Sequence, residues 1–184
     1  MARGRPVRGR ARLVAWIMLA AWGPWLSGAQ AMLVTRGTLG PWVPDLLLLL
    51  VVVSAVKLHR RDVAPATFIL ALCRTATSVD SPAAILAGFG ILSVLVLGAR
   101  RFADADRIPV RFVMVAAASL LFATWMALVR TAELGAQASS SALGRQLEPL
   151  LPGVVVTAVA GVILFQGLML LPGMTPLRRR SRLW

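Results

Sequence analysis

The sequence has no tyrosine, one cysteine and one histidine, and its 20 Lys and Arg face only 7 Asp and Glu. Each scarcity removes a class of function. With Cys73 alone, no internal disulfide can form, and inside an apolar stretch this thiol reads as a small inert side chain. His59 stands in a basic segment, where it cannot supply a metal cluster or serve a buried nucleophile. No Walker-type glycine loop occurs; Gly88 and Gly90 lie in an apolar run and read as packing. The few carboxylates sit mostly at the ends of apolar runs, where capping and solvation account for them. The sequence therefore offers no catalytic, cofactor-binding or metal-binding set. A net charge of +13 raises the question of nucleic acid. Base-stacking aromatics interleaved with basic residues are missing, which argues against it.

What is abundant is apolar sequence. Hydrophobic residues make up 58% of the chain, only 15% is charged and the mean hydropathy is +0.78. Runs approaching the ~20 residues needed to cross a bilayer recur along it. The spacing predicts an all-α polytopic membrane protein with six transmembrane helices, at about 13–34, 42–56, 63–79, 83–99, 112–129 and 150–171. Residues 1–12 form a basic N-terminus and residues 173–184 a basic tail, with the membrane domain at 13–172 between them.

Charge supports that count. Alternating sides from an inner N-terminus leaves Arg36, Arg130 and Arg145 outside and Arg74 within a span, with every other Lys and Arg inside. A wrong span count would scramble such a split. Both termini are then cytoplasmic, and the basic fringe meets anionic lipids of the inner leaflet. The N-terminal run has two readings: a signal peptide ending at the cleavage-like Ala29-Gln30-Ala31, or a retained first helix kinked at Pro24. Retention is favoured, because further spans follow. Between Glu133 and Glu148 the sequence predicts a long outer loop rich in Ala, Ser and Gly.

Helices in lipid associate through close packing of small residues. Thr67, Ala71 and Thr75 recur four apart in the third span, Ser119, Ala123 and Ala127 in the fifth, and Gly153, Thr157 and Gly161 in the sixth; Ala84 and Gly88 add a pair in the fourth. These mark helix-facing sides. The two central spans form a hairpin turning at Asp80, Ser81 and Pro82, with Pro82 suited to a first helical position.

Arg74 is the sharpest polar feature, since an arginine within a span is costly. Thr77 and Ser78 would share its face and give it a partly polar strip. One reading makes this an intramembrane interaction or ligand site. The other has Arg74 snorkel outward or pair with an outer carboxylate, Asp45 or Asp80. The sequence favours the second, because no other span carries a buried charge.

The run PDLLLLLVV from Pro44, the hairpin turn at Ser81-Pro82, GARRF from Gly98 and the final LPGVVVTAVAGVILFQGLMLLPG with its arginine tail resemble the bacterial rod shape-determining protein MreD family. Members often carry a Gly-Leu-Leu-x-Asp segment before the turn; here Ala71-Leu72-Cys73-Arg74-Thr75-Ala76 stands in its place. The resemblance implies a non-enzymatic inner-membrane subunit of the rod complex, or elongasome. It would bind an MreC-like bitopic protein and, through the complex, MreB and the cell-wall synthases. It also implies a fold similar to the S components of energy-coupling-factor transporters. That supplies the alternative, a small-molecule-binding transporter subunit.

Overall fold

The computed structural model describes residues 8–35, 42–102, 107–133, 140–168 and 170. It is built of helices, with no β-strand among the described residues: α1 (Arg8–Thr35), α2 (Leu46–Lys57), α3 (Arg60–Thr75), α4 (Pro82–Ala99), α5 (Ile108–Glu133), α6 (Ser140–Leu147) and α7 (Leu151–Leu168). A 3-10 turn, Glu148–Leu150, joins the last two. Among the described residues four stretches are long and apolar enough to cross a membrane: Leu13–Val34, Pro82–Ala99, Ile108–Glu133 and Leu143–Leu168. The sides of these helices expose large apolar residues, among them Ile17, Trp25, Leu95, Val113 and Ile163. Broad apolar exteriors of this kind belong against lipid.

The bundle is arranged around α2. Its residues Leu47 through Val56 are all buried, and α1, α3, α4, α5 and α7 pack around it. An all-round apolar helix requires this position. Twelve residues rise about 18 Å, short of the ~30 Å hydrocarbon thickness. Because α2 meets protein on every side, its ends can stop within the bundle, provided that side chains satisfy their backbone groups.

Several elements differ from the sequence reading. The third span, expected at 63–79, is helical only from Arg60 to Thr75. The Thr75 and Thr77 hydroxyls donate to carbonyls of the last turn, and this local bonding competes with helix continuation. Pro82 then disfavours helical geometry just before it and opens α4. α3 is also not among the stretches apolar enough to span, since Arg60, Arg61, Asp62 and Arg74 occupy its first and last turns. α5 extends beyond 112–129 at both ends and takes in Arg111 and Arg130. Part of the expected 133–148 loop is helical, as α6. α1 continues on both sides of Pro24. The expected outer loop at Arg36, the inner-loop Asp104 and Asp106, residues 1–7 of the basic N-terminus and the basic tail lie outside the described residues.

The small-residue faces pack as close approaches. Thr67, Ala71, Ser119, Ala123, Ala127, Ala84 and Thr157 are all buried. A Cβ at Gly161 would come within 2.9 Å of both Val115 methyls and 3.0 Å of Leu49. That glycine lets α7 reach both α5 and the central helix. Gly88 plays the same part between α4 and α5, where a Cβ would lie 2.7 Å from Trp125. The Trp125 indole N–H donates to the Ala84 carbonyl at 2.8 Å, and the Phe89 and Phe122 rings meet at a tilt of 46° with centres 4.9 Å apart.

Gly161→Ala should therefore destabilise the purified protein by about 1–3 kcal/mol through overpacking. Gly90→Ala, with nothing within 4 Å of its Cβ, should be neutral or gain up to about 1 kcal/mol from helix propensity. Thermal unfolding in detergent measures both; equal effects would refute the packing account.

Candidate functional site

The end at which α2 begins carries the charged cluster. Asp45 is the N-cap of α2, and its Oδ1 accepts from Leu48 N–H at 3.0 Å. An aspartate fits there because its carboxylate satisfies an orphan helix N–H and complements the helix dipole. Two further side chains complete the cap. The Asp45 N–H donates to Thr157 Oγ1 of α7 at 2.9 Å, and the Leu46 N–H donates to Gln30 Oε1 of α1 at 3.3 Å. Thr157 in turn donates to the Gly153 carbonyl at 2.6 Å.

Arg74, in the last turn of α3, reaches the same carboxylate. Its Nη1 lies 3.0 Å from Asp45 Oδ1 and 2.9 Å from Oδ2. Both side chains are about four-fifths buried, with 23% and 19% exposure. A second pair stands beside it. Arg130 of α5 grips Asp80 in two hydrogen bonds, Nε to Oδ1 at 2.9 Å and Nη2 to Oδ2 at 3.1 Å. Ser78 Oγ donates to Asp80 Oδ2 at 2.8 Å and accepts from the Asp80 N–H at 3.2 Å. The two-pronged Arg130 contact holds the Asp80 carboxyl below its ordinary value of 3.8 against the opposing effect of partial burial, with smaller help from Ser78 and from the Arg74 charge.

Of the residues singled out in the sequence, Arg74 and Asp45 come together directly, and Asp80 and Ser78 meet in the turn after α3. Thr77 takes no part in the ion pairs, but with Arg74, Ser78 and Gln30 it borders a separate hollow of about 250 Å³. It is exposed, and its hydroxyl is spent on the Cys73 and Arg74 carbonyls. Arg130, Gln30, Thr157 and Ser119 join the site without a sequence pattern that marks them for it: by sequence Arg130 belongs to the outer fringe, Gln30 to the Ala29-Gln30-Ala31 triplet, and Thr157 and Ser119 to the packing faces. An amide within an apolar span is a signal in its own right, because it must find a partner away from water.

Between the pairs lies a cavity of about 230 Å³, bordered by Asp45, Arg74, Asp80, Arg130, Ser119 and Thr157 over an apolar floor that includes Phe122 and Met126. Ser119 is 5% exposed and its hydroxyl has no hydrogen-bond partner. Among the described residues no group of three or more His, Cys, Asp or Glu could hold a metal ion. No family model, no curated protein and no solved structure matches this chain.

The two ion pairs give two measurable expectations. Arg74→Leu leaves a largely buried Asp45 unpaired and should cost about 1–3 kcal/mol. Adding Asp45→Asn, which keeps a capping oxygen, should recover much of that loss. Strictly additive effects in this double-mutant cycle would show that the pair does not couple. The second expectation concerns pH. A carboxyl with a lowered folded-state pKa adds stability above its unfolded value and loses it as pH falls through the folded one. The Asp80–Arg130 contribution should thus be complete at neutral pH, begin to fall as pH drops through about 3.8, and vanish only below the lowered folded-state value. Asp80→Asn should remove that part of the acid sensitivity, seen as a flatter midpoint-versus-pH curve.

Proposed function

We propose that this chain is a non-enzymatic, six-span subunit of the bacterial inner membrane, of the MreD type. On this reading it scaffolds cell-wall elongation by binding an MreC-like bitopic protein, and through the complex MreB and the cell-wall synthases. The observation that carries the reading is the mutual neutralisation at the Asp45 end. Four charges from the cap of α2, α3, α5 and the 76–81 turn form two pairs, and they tie α3 to the start of α2 and α5 to the α3–α4 turn. A head closed in this way suits a rigid platform for partners more than a grip for an anionic substrate, for which an arginine would have to leave its carboxylate.

On this reading α2 and α3 count as spans beside the four stretches that are long and apolar enough by themselves. The basic end, with Lys57, Arg60, Arg61, Arg100, Arg101, Arg107 and Arg111, then faces the cytoplasm by the positive-inside rule, and the paired end faces outward.

One observation favours the second reading, a small-molecule-binding S component: the unpartnered Ser119 hydroxyl beside the cavity. At about 230 Å³ the cavity falls below the ~300–1,000 Å³ range of drug-sized ligand sites, which weighs against a vitamin-sized substrate.

The test is complementation of rod shape in a depletion strain of the native host, with capture of the bitopic partner by in-cell cross-linking. Restored shape with the partner captured is the expected outcome. Normal shape on depletion, with loss of uptake of a vitamin, would favour the transporter reading instead. A reporter fused after Arg182 should report cytoplasm and one inserted near Ser140 the outer side; a C-terminal reporter on the outer side would end the six-span topology.

A further inference from the structure

At the opposite end of the bundle, α3 and α4 diverge around an open hollow of about 830 Å³. Arg60, Arg100 and Arg101 stand at its mouth, and Val63, Val94 and Leu97 form its apolar wall. Among the described residues that border it there is no carboxylate. The N-terminus of α3 and the C-terminus of α4 meet there, so their helix dipoles oppose each other and the sign of the site is set by three guanidinium groups. Arg100 is anchored: its Nη1 donates to the Ala55 carbonyl at 2.7 Å and to Leu58 at 3.0 Å. Arg60 and Arg101 are exposed. Above the mouth the wall runs on as an exposed apolar track, with Phe68 on α3 and Ile91 on α4.

We propose that this hollow is a binding site for one anionic phospholipid, its phosphate at the three arginines and an acyl chain laid along the α3–α4 track. The chemistry selects that occupant. A soluble anion would use the arginines but leave the apolar wall bare, and a neutral lipid would use the wall but leave the exposed Arg60 and Arg101 guanidiniums unused. A planar, multi-donor guanidinium suits phosphate oxygens. In the topology proposed above, this end lies in the leaflet whose negative surface attracts basic pockets between helices. The site does not depend on the scaffold reading, and its test does not involve partner binding.

Gly98 allows charge and shape to be tested separately. It borders the hollow, and nothing lies within 4 Å of a Cβ built there. Gly98→Leu should therefore fold normally while filling the place of the acyl chain. The full chain is purified in neutral detergent, and its thermal midpoint is followed as phosphatidylglycerol or phosphatidylcholine is added. Phosphatidylglycerol should raise the midpoint by about 5 °C or more at saturating lipid, with little change from phosphatidylcholine or from glycerol phosphate. The Arg60→Gln/Arg101→Gln variant should reduce the phosphatidylglycerol shift to the phosphatidylcholine level. Gly98→Leu should do the same with an unchanged midpoint in detergent alone. Equal shifts from the two lipids would overturn the proposal. So would a shift that survives in both variants, which would place the lipid elsewhere on the basic fringe, or no shift in the parent protein, which would leave the hollow to an acidic protein segment.

Discussion

A short helix buried on every side must have its terminal N–H and C=O groups satisfied without water, and much of this structure answers that requirement. The first turn of α2 is served by the Asp45 carboxylate, Gln30 from α1 and Thr157 from α7. Its last turn is served by Arg100 from the end of α4, whose Nη1 reaches the carbonyls of Ala55, Val56 and Leu58. An orphaned polar group in such a place would cost on the order of 1–3 kcal/mol. The polar residues of the neighbouring helices are thus positioned by the backbone of the central one. Arg74 belongs to the same logic, since it neutralises the charge that the cap introduces.

The two ends solve the problem with different chemistry. At one end Asp45 and Asp80 each have an arginine, and those four charges cancel. At the other, cations are held by carbonyls and ring faces: Arg111 lies 4.6 Å from the Phe165 ring centre and donates to the Val162 carbonyl, and the Lys57 ammonium lies 5.9 Å from the same ring. Among the described residues of that end, Lys57, Arg60, Arg61, Arg100, Arg101, Arg107 and Arg111 outnumber the single carboxylate, Asp62. The chain is thereby polarised along the bundle axis, and the same asymmetry lies behind the orientation, the partner-facing head and the lipid site proposed above.

The helical, apolar character of the chain was legible because long uncharged runs have few other meanings. The small-residue faces were legible because their four-residue spacing survives in the packing. Boundaries were less so: hydropathy does not register that the Thr75 and Thr77 hydroxyls close α3 early, or that α6 forms in a polar segment. Within the charged cluster, Asp45 was marked by its place ahead of an apolar run and Arg74 by its place within one. Their companions were hidden for different reasons. Arg130 resembles any basic residue at a span end until the turn carrying Asp80 is placed against it. Thr157 and Ser119 have two meanings, close packing and hydrogen bonding, and spacing reveals only the first.

The caps of α2 also fix an order of events during synthesis. The partner of the Asp45 carboxylate is made 29 residues later, the arginine that closes the other end 45 residues after Ala55, and the acceptor of the Asp45 N–H only 112 residues on. A nascent chain halted after α3 has a neutralised aspartate but an open carbonyl end. One halted after α5 still lacks Thr157. The central helix is thus among the first to leave the ribosome and the last to be fully satisfied. Until α7 arrives it must be sheltered, by the insertion machinery or by water retained at its ends, which makes the final span the step that locks the assembly.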